Sequence, residues 1–212
     1  MLEIYFLRHG QTEFSRDNKF CGSATDAQLT PQGRAMGEAF AEFYRDTQWR
    51  AIYSSPLERT RITANTIASR LNQQPIVRDG LTEIGYGKWE ARTVDEVDRL
   101  FHDDYLRWTA DPAWYPPTEG ESAISVSTRA LEVVQEIRDD CHEGKVLVVS
   151  HKATIRIVLC ALLGIDVGRF RYRLGCPVSS VSVVSFAGHG PLLEVLADRS
   201  HLPQELLQLE GT

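Results

Sequence analysis

Arg8 and His9 end an apolar run at residues 2–7, LEIYFL, and His151 ends a second, KVLVVS, at 145–150. Arg59 follows YSSPLE at 53–58, and Glu83 follows RDGLT at 78–82. These residue types suit one kind of chemistry. A neutral imidazole can attack as a nucleophile and carry a covalent intermediate. A second imidazole, if protonated, can donate to phosphoryl oxygens as charge shifts. Guanidinium groups present forked donors that match phosphate oxygens, and a carboxylic acid can protonate a leaving group. The sum is phosphoryl transfer through a phosphohistidine, with side-chain cations where a metal ion would otherwise stand. No metal and no cofactor is expected.

These residues are far apart in sequence, so the fold must gather them. LEIYFL reads as a buried strand. LTPQGRAMGEAFAEFYRDT then opens a helix, with Thr30 as N-cap, Pro31 at the first helical position and Met36, Phe40 and Phe43 at helical spacing. AIYSS at 51–55 is a second strand. The helix after it has Ser55 as N-cap and Glu58 three residues on, a capping-box pattern, with Leu57, Ala64, Ile67 and Leu71 on one stripe. QPIVRDG at 74–80 is a third strand. KVLVVS, apolar on both faces, suits a central parallel strand, and the helix after it closes at Gly164. SSVSVVSFAG and LLEVLAD form a final hairpin around Gly188–Pro191.

Strands alternating with helices imply a single α/β domain over 1–212, its mainly parallel sheet flanked by helices. Residues 82–125 break that rhythm with Trp89, Trp108, Trp114, the stretch DPAWYPPTEGES and one acidic helix at about 93–110. They read as a mostly helical inserted cap over one edge of the sheet. Ligands of open α/β sheets bind beyond the carboxyl ends of the strands, and His9, His151, Arg59 and Glu83 all fall there.

In order along the chain, FLRHGQTE, LTPQG, YSSPLERTRITA, LTEIGYGKWE, GES and VLVVSH resemble the histidine phosphatase superfamily, the phosphoglycerate-mutase-like proteins. The resemblance spans nearly the whole chain. It implies that His9 is the phosphorylated nucleophile, that Arg8, Arg59 and His151 form the phosphate pocket, and that Glu83 is the general acid. Gly10 then permits close backbone approach. Many members have asparagine six residues after the nucleophile, where this chain has Ser15; Thr12 is the nearby alternative for contacting the phosphate. His201, in DRSHL, is similar to a histidine of metal-independent phosphoserine phosphatases that contacts the substrate carboxylate. Arg171 and Arg173 lie either against a substrate anion or in solvent. EIGYGKWEART resembles the phosphatase branch more than the mutases. The expectation is a phosphatase acting on phosphoserine, a sugar phosphate or a phosphorylated sugar acid. The alternatives are a phosphoglycerate-mutase-type phosphotransferase and a non-catalytic phospholigand-binding module.

The bulk properties fit a small-molecule enzyme. With 212 residues, 42% hydrophobic and 25% charged, the chain can bury one substantial core. Its net charge of −6 runs against nucleic-acid or anionic-membrane partners. Cys21, Cys141, Cys160 and Cys176 form no CxxC pair and suit a reducing compartment. The apolar start is too short for a signal peptide or a membrane span, so the location expected is cytoplasmic. FHDDY at 101–105 reads as a solvated helix face, Arg61 as a surface cation, and His142 and His189 as surface residues. A homodimer is the commonest assembly, with the final hairpin as a candidate face.

Overall fold

The computed structural model describes residues 1–209 and 211. In chain order the elements are β1 (Leu2–Arg8), α1 (Glu13–Arg16), α2 (Pro31–Phe43), β2 (Trp49–Ser54), α3 (Glu58–Ala68) and β3 (Ile76–Val77). There follow α4 (Val94–Leu100), α5 (His102–Ala110), α6 (Ala123–Asp140), β4 (Gly144–Ser150) and α7 (Lys152–Leu162). Last come α8 (Phe170–Arg173), β5 (Val181–Ala187), β6 (Gly190–Asp198) and α9 (Gln204–Leu207). The strands make one six-stranded sheet in the order β3-β2-β4-β1-β5-β6. β3, β2, β4 and β1 run parallel, while β5 and β6 join as an antiparallel hairpin. The fold is the expected α/β type with a mainly parallel sheet.

The centre of the sheet is buried on both faces, which is why β1 and β4 read as continuous apolar runs. Alternation along β1 sends Ile4 and Phe6 to the core shared with α6 and α7, and Tyr5 and Leu7 to the core beneath α2 and α3. Each such side chain, fully buried, contributes about 1.5–3 kcal/mol. The register pairs Arg8 with Ser150. His9 and His151 therefore leave neighbouring strands side by side, at one sheet edge.

Several local expectations need correction. α3 starts at Glu58, and its N-cap, Leu57, makes no side-chain cap. The Ser55 hydroxyl instead accepts from the Leu57 N–H and bonds His151, while the Glu58 N–H donates to the Asp26 carboxylate from a distant loop. A tertiary partner has displaced the local capping box. β3 has shrunk to residues 76–77. Phe43, the last residue of α2, is 57% exposed. The single acidic helix is two helices, because Phe101 leaves helical dihedrals at φ −137°, ψ 38°. The Phe101 ring then packs with Trp89, Val97 and Trp108. Trp114, by contrast, is exposed.

Candidate active site

A cavity of about 150 Å³ opens beyond the carboxyl ends of β1 and β4, with Arg8, His9, Arg59 and Glu83 on its wall. All four are buried. The two glycine motifs of the sequence meet here. A side chain on Gly10 would run into the backbone of Gly33, and one on Gly33 into that of Gln11. Their absence lets the first turn of α2 sit directly on the loop that carries His9. Thr30, the α2 N-cap, ties the two together, accepting from the Gly33 N–H and donating through its hydroxyl to Gln11 Oε1. The close approach at Gly10 is thus protein against protein.

The His9 ring is held in one tautomer. Nδ1 lies 2.8 Å from the Gly10 carbonyl oxygen, which can only accept. Nδ1 therefore carries the proton, and Nε2 keeps its lone pair. Burial, with the nearby Arg59 and Arg8 cations, holds the ring neutral well below the usual imidazole range. His151 stands at the N-cap position of α7, without a side-chain cap, and packs edge-on to His9, with ring centres 5.2 Å apart. Its Nε2 is 2.8 Å from Ser55 Oγ. Burial and the Arg59 charge push its proton affinity well below normal too, so it stands neutral beside His9 and outside the cavity lining.

Arg59 occupies the first turn of α3 and is 1% exposed. It donates to Asp26 Oδ1 at 3.0 Å and to the carbonyls of Thr25 and Gly22. The 22–26 loop thereby fixes the guanidinium in the wall. Arg8 donates to the Cys176 carbonyl at 2.7 Å. Burial lowers its proton affinity from the ordinary arginine value, though it remains a cation. Glu83 reaches the N-terminus of α7. Its Oε1 accepts from the N–H groups of Ile84 and Thr154 and from the Thr154 hydroxyl, and its Oε2 from the Ala153 N–H. Those bonds fix the carboxyl in the wall of the cavity that His9 also lines.

Thr12 and Ser15 also line the cavity, but their hydroxyls serve α1. Each bonds the other's backbone in a reciprocal capping box. His201 is not brought to this cavity. It is buried against α2, edge-on to Phe40 at 5.3 Å, with Nε2 3.3 Å from Ser179 Oγ. Aromatic packing with Phe40, Phe43 and Tyr44 holds it there. Among the described residues no cluster of three or more His, Cys, Asp or Glu could hold a metal ion. Among the described residues no helix is long and apolar enough to cross a membrane.

Residues 4–199 match the model of the histidine phosphatase superfamily (branch 1). The chain belongs to that superfamily. Phosphoserine phosphatase 1 of Hydrogenobacter thermophilus is 33% identical over 184 residues, covering 87% of this chain and 86% of the relative. Glucosyl-3-phosphoglycerate phosphatase of Mycolicibacterium vanbaalenii is 32% identical over 193 residues, 88% of this chain and 84% of its own length. A solved phosphoserine phosphatase from Entamoeba histolytica, in complex with 3-phosphoglyceric acid, superposes with a TM-score of 0.85 at 27% identity. That match covers 96% of this chain and 100% of the solved one. The reaction class of this histidine phosphatase is that of a phosphomonoesterase.

Sequence reasoning missed part of the histidine phosphatase cavity. Lys152 and Arg156 line it from α7, and Tyr86 and Trp108 from the 82–125 segment; Arg171, read from the sequence as lying either against a substrate anion or in solvent, lines it from α8. A signal was present in KATIRIVLCAL, where Lys152 and Arg156 stand four apart in a helix otherwise built for burial. Asp26, which pairs with Arg59, had no such signal: it sits in a loop whose path only the tertiary fold sets.

Proposed function

We propose that this protein hydrolyses a small phosphomonoester through a phosphohistidine formed on His9. The observation that carries the reading is the His9 tautomer. Nδ1–H is committed to the Gly10 carbonyl, so the lone pair of Nε2 is available at a cavity wall that also holds Arg8 and Arg59. In the first step Nε2 attacks phosphorus, and the bond from phosphorus to the leaving oxygen breaks. Glu83 gives that oxygen its proton. Arg8 and Arg59 hold the phosphoryl oxygens as negative charge redistributes. His151 supports the pocket from behind His9, and phosphate binding there would favour its protonated form. In the second step water attacks phosphorus, the N–P bond breaks, and Glu83 takes the water's proton.

The substrate belongs among small phosphorylated metabolites. A cavity of about 150 Å³ is below the ~300 Å³ at which sites for drug-sized ligands begin. Phosphoserine comes first, then a phosphorylated sugar acid or a sugar phosphate. The names of the relatives from Hydrogenobacter and Mycolicibacterium support this range, as does the 3-phosphoglyceric acid held by the Entamoeba structure. The segment 82–125 acts as a cap, contributing Val94 and Trp108 to the cavity wall. The four unbridged cysteines fit a cytoplasmic setting. Phosphate release should be measured from a panel of phosphorylated metabolites with wild type and His9→Ala. Turnover by wild type and none by a folded His9→Ala supports the reading. Undiminished turnover by the variant refutes it.

A further inference from the structure

Lys152 and Arg156, four residues apart, project from one face of α7. Arg171 reaches the same place from α8. All three line the cavity that holds His9 and also a shallower depression beside it, so they stand where the two join. Among the described residues none of the three forms an ion pair. Buried Arg59 has Asp26, and Arg129, which packs on the loop after β3, has Glu121. The cluster has no such partner.

The two guanidinium groups are nonetheless rigid. Arg156 is 8% exposed and donates one NH2 group to the Arg171 carbonyl, while its Nε–H is buried with no acceptor. Arg171 lies over Trp108, its guanidinium carbon 3.9 Å from the ring centre, and its NH1 is likewise buried and unpartnered. Buried, unpartnered charged donors are costly and call for explanation. Crowding shows at Lys152, whose ammonium is pushed down to about 8 by burial and by Arg8 and Arg156. An anion placed among these groups would satisfy them together.

We propose that Lys152, Arg156 and Arg171 form a second anion subsite, taking a carboxylate or a further phosphate on the leaving alcohol while Arg8 and Arg59 hold the phosphoryl group that is transferred. The inference rests on the phosphatase reading and names what selects the substrate. The small cavity sets the two anions a short carbon chain apart. The substrate anion expected at His201 is assigned to this cluster instead.

The test compares three substrates with one three-carbon chain: propyl phosphate, 3-phosphonooxypropanoate and propane-1,3-diyl bisphosphate. One of the two doubly anionic compounds should exceed propyl phosphate in kcat/KM by at least about tenfold, the worth of one charge-assisted hydrogen bond. Which one wins identifies the anion. Arg156→Gln and Arg171→Gln should each erode that ratio, with Arg156→Lys retaining part of it. Circular dichroism checks that each variant is folded, and Arg171→Gln carries the test if Arg156→Gln is not. Equal kcat/KM on all three substrates overturns the inference alone, as does a ratio that survives in the folded variants. No hydrolysis of any of them, or of nitrophenyl phosphate, overturns the phosphatase reading together with the inference.

Discussion

Glu83→Gln should separate the structural from the chemical duty of this side chain. Every group that bonds the Glu83 carboxyl is a donor: the N–H groups of Ile84, Ala153 and Thr154, and the Thr154 hydroxyl. Glutamine offers one oxygen and one NH2. Its oxygen takes the Oε1 place, where three of these donors converge. The NH2 then faces the Ala153 N–H, donor against donor. One hydrogen bond is lost and buried donors go unsatisfied, at a cost of about 1–3 kcal/mol. For a chain of this size that lowers Tm by roughly 2–12 °C. The chemical loss is separate. A leaving alkoxide is a strong base and needs a proton as its bond to phosphorus breaks, and general acid catalysis contributes about 10²–10⁴-fold. Nitrophenolate leaves without that help. The assay is kcat/KM on phosphoserine and on nitrophenyl phosphate at a temperature where the variant is fully folded. The expected result is a loss of about 10²-fold or more on phosphoserine and a much smaller one on nitrophenyl phosphate. Equal losses on both would refute leaving-group protonation by Glu83, and place its role in the attack of water or in holding α7.

Other perturbations have equally definite outcomes. Lys152, titrating near 8 in the ligand-free protein, is a cation below that pH and loses its charge above it; kcat/KM should fall as pH rises through 8, and Lys152→Gln should remove that limb of the profile. His201 is lowered by burial to about 4 from an ordinary 6.5, so the folded state binds fewer protons than the unfolded between those values. The His201 contribution to stability is therefore lost as pH falls from about 6.5 towards 4, by up to about 3 kcal/mol, and His201→Gln should make the denaturation profile less steep across that window, leaving the part due to the likewise depressed His9 and His151, without changing the ratio of activity on carboxylated and plain phosphates. Gly10→Ala drives a methyl group into the backbone of Gly33, and urea unfolding should show a loss of at least about 2 kcal/mol.

The strands and the inner site were legible because they rest on local signals. A strand that is apolar on both faces and ends at Arg8-His9 can only be central, and the parallel register that aligns Arg8 with Ser150 brings His151 beside it. Thr30 and Pro31 start α2 as their local chemistry dictates. What failed to show depends on distant partners. Ser55 gave up its capping role because His151 lies within 2.8 Å and Asp26 supplies the acceptor for Glu58. Phe101 broke a helix to join Trp89 and Trp108. His201 follows the last strand, as a pocket residue could, yet the chain turns it onto Phe40. The cations of α7 and α8 converge only once both helices are placed.

The central claim is a phosphoryl group carried on Nε2 of His9. Rapid acid-free quenching of wild type with phosphorus-labelled substrate, followed by peptide mapping, tests it most directly. The prediction is an acid-labile, base-stable adduct on the peptide containing His9, with the nitrogen assigned as Nε2 by phosphorus NMR, and no adduct on His9→Ala. Label on a serine or a carboxylate, or stoichiometric turnover with no adduct at any quench time, would contradict it.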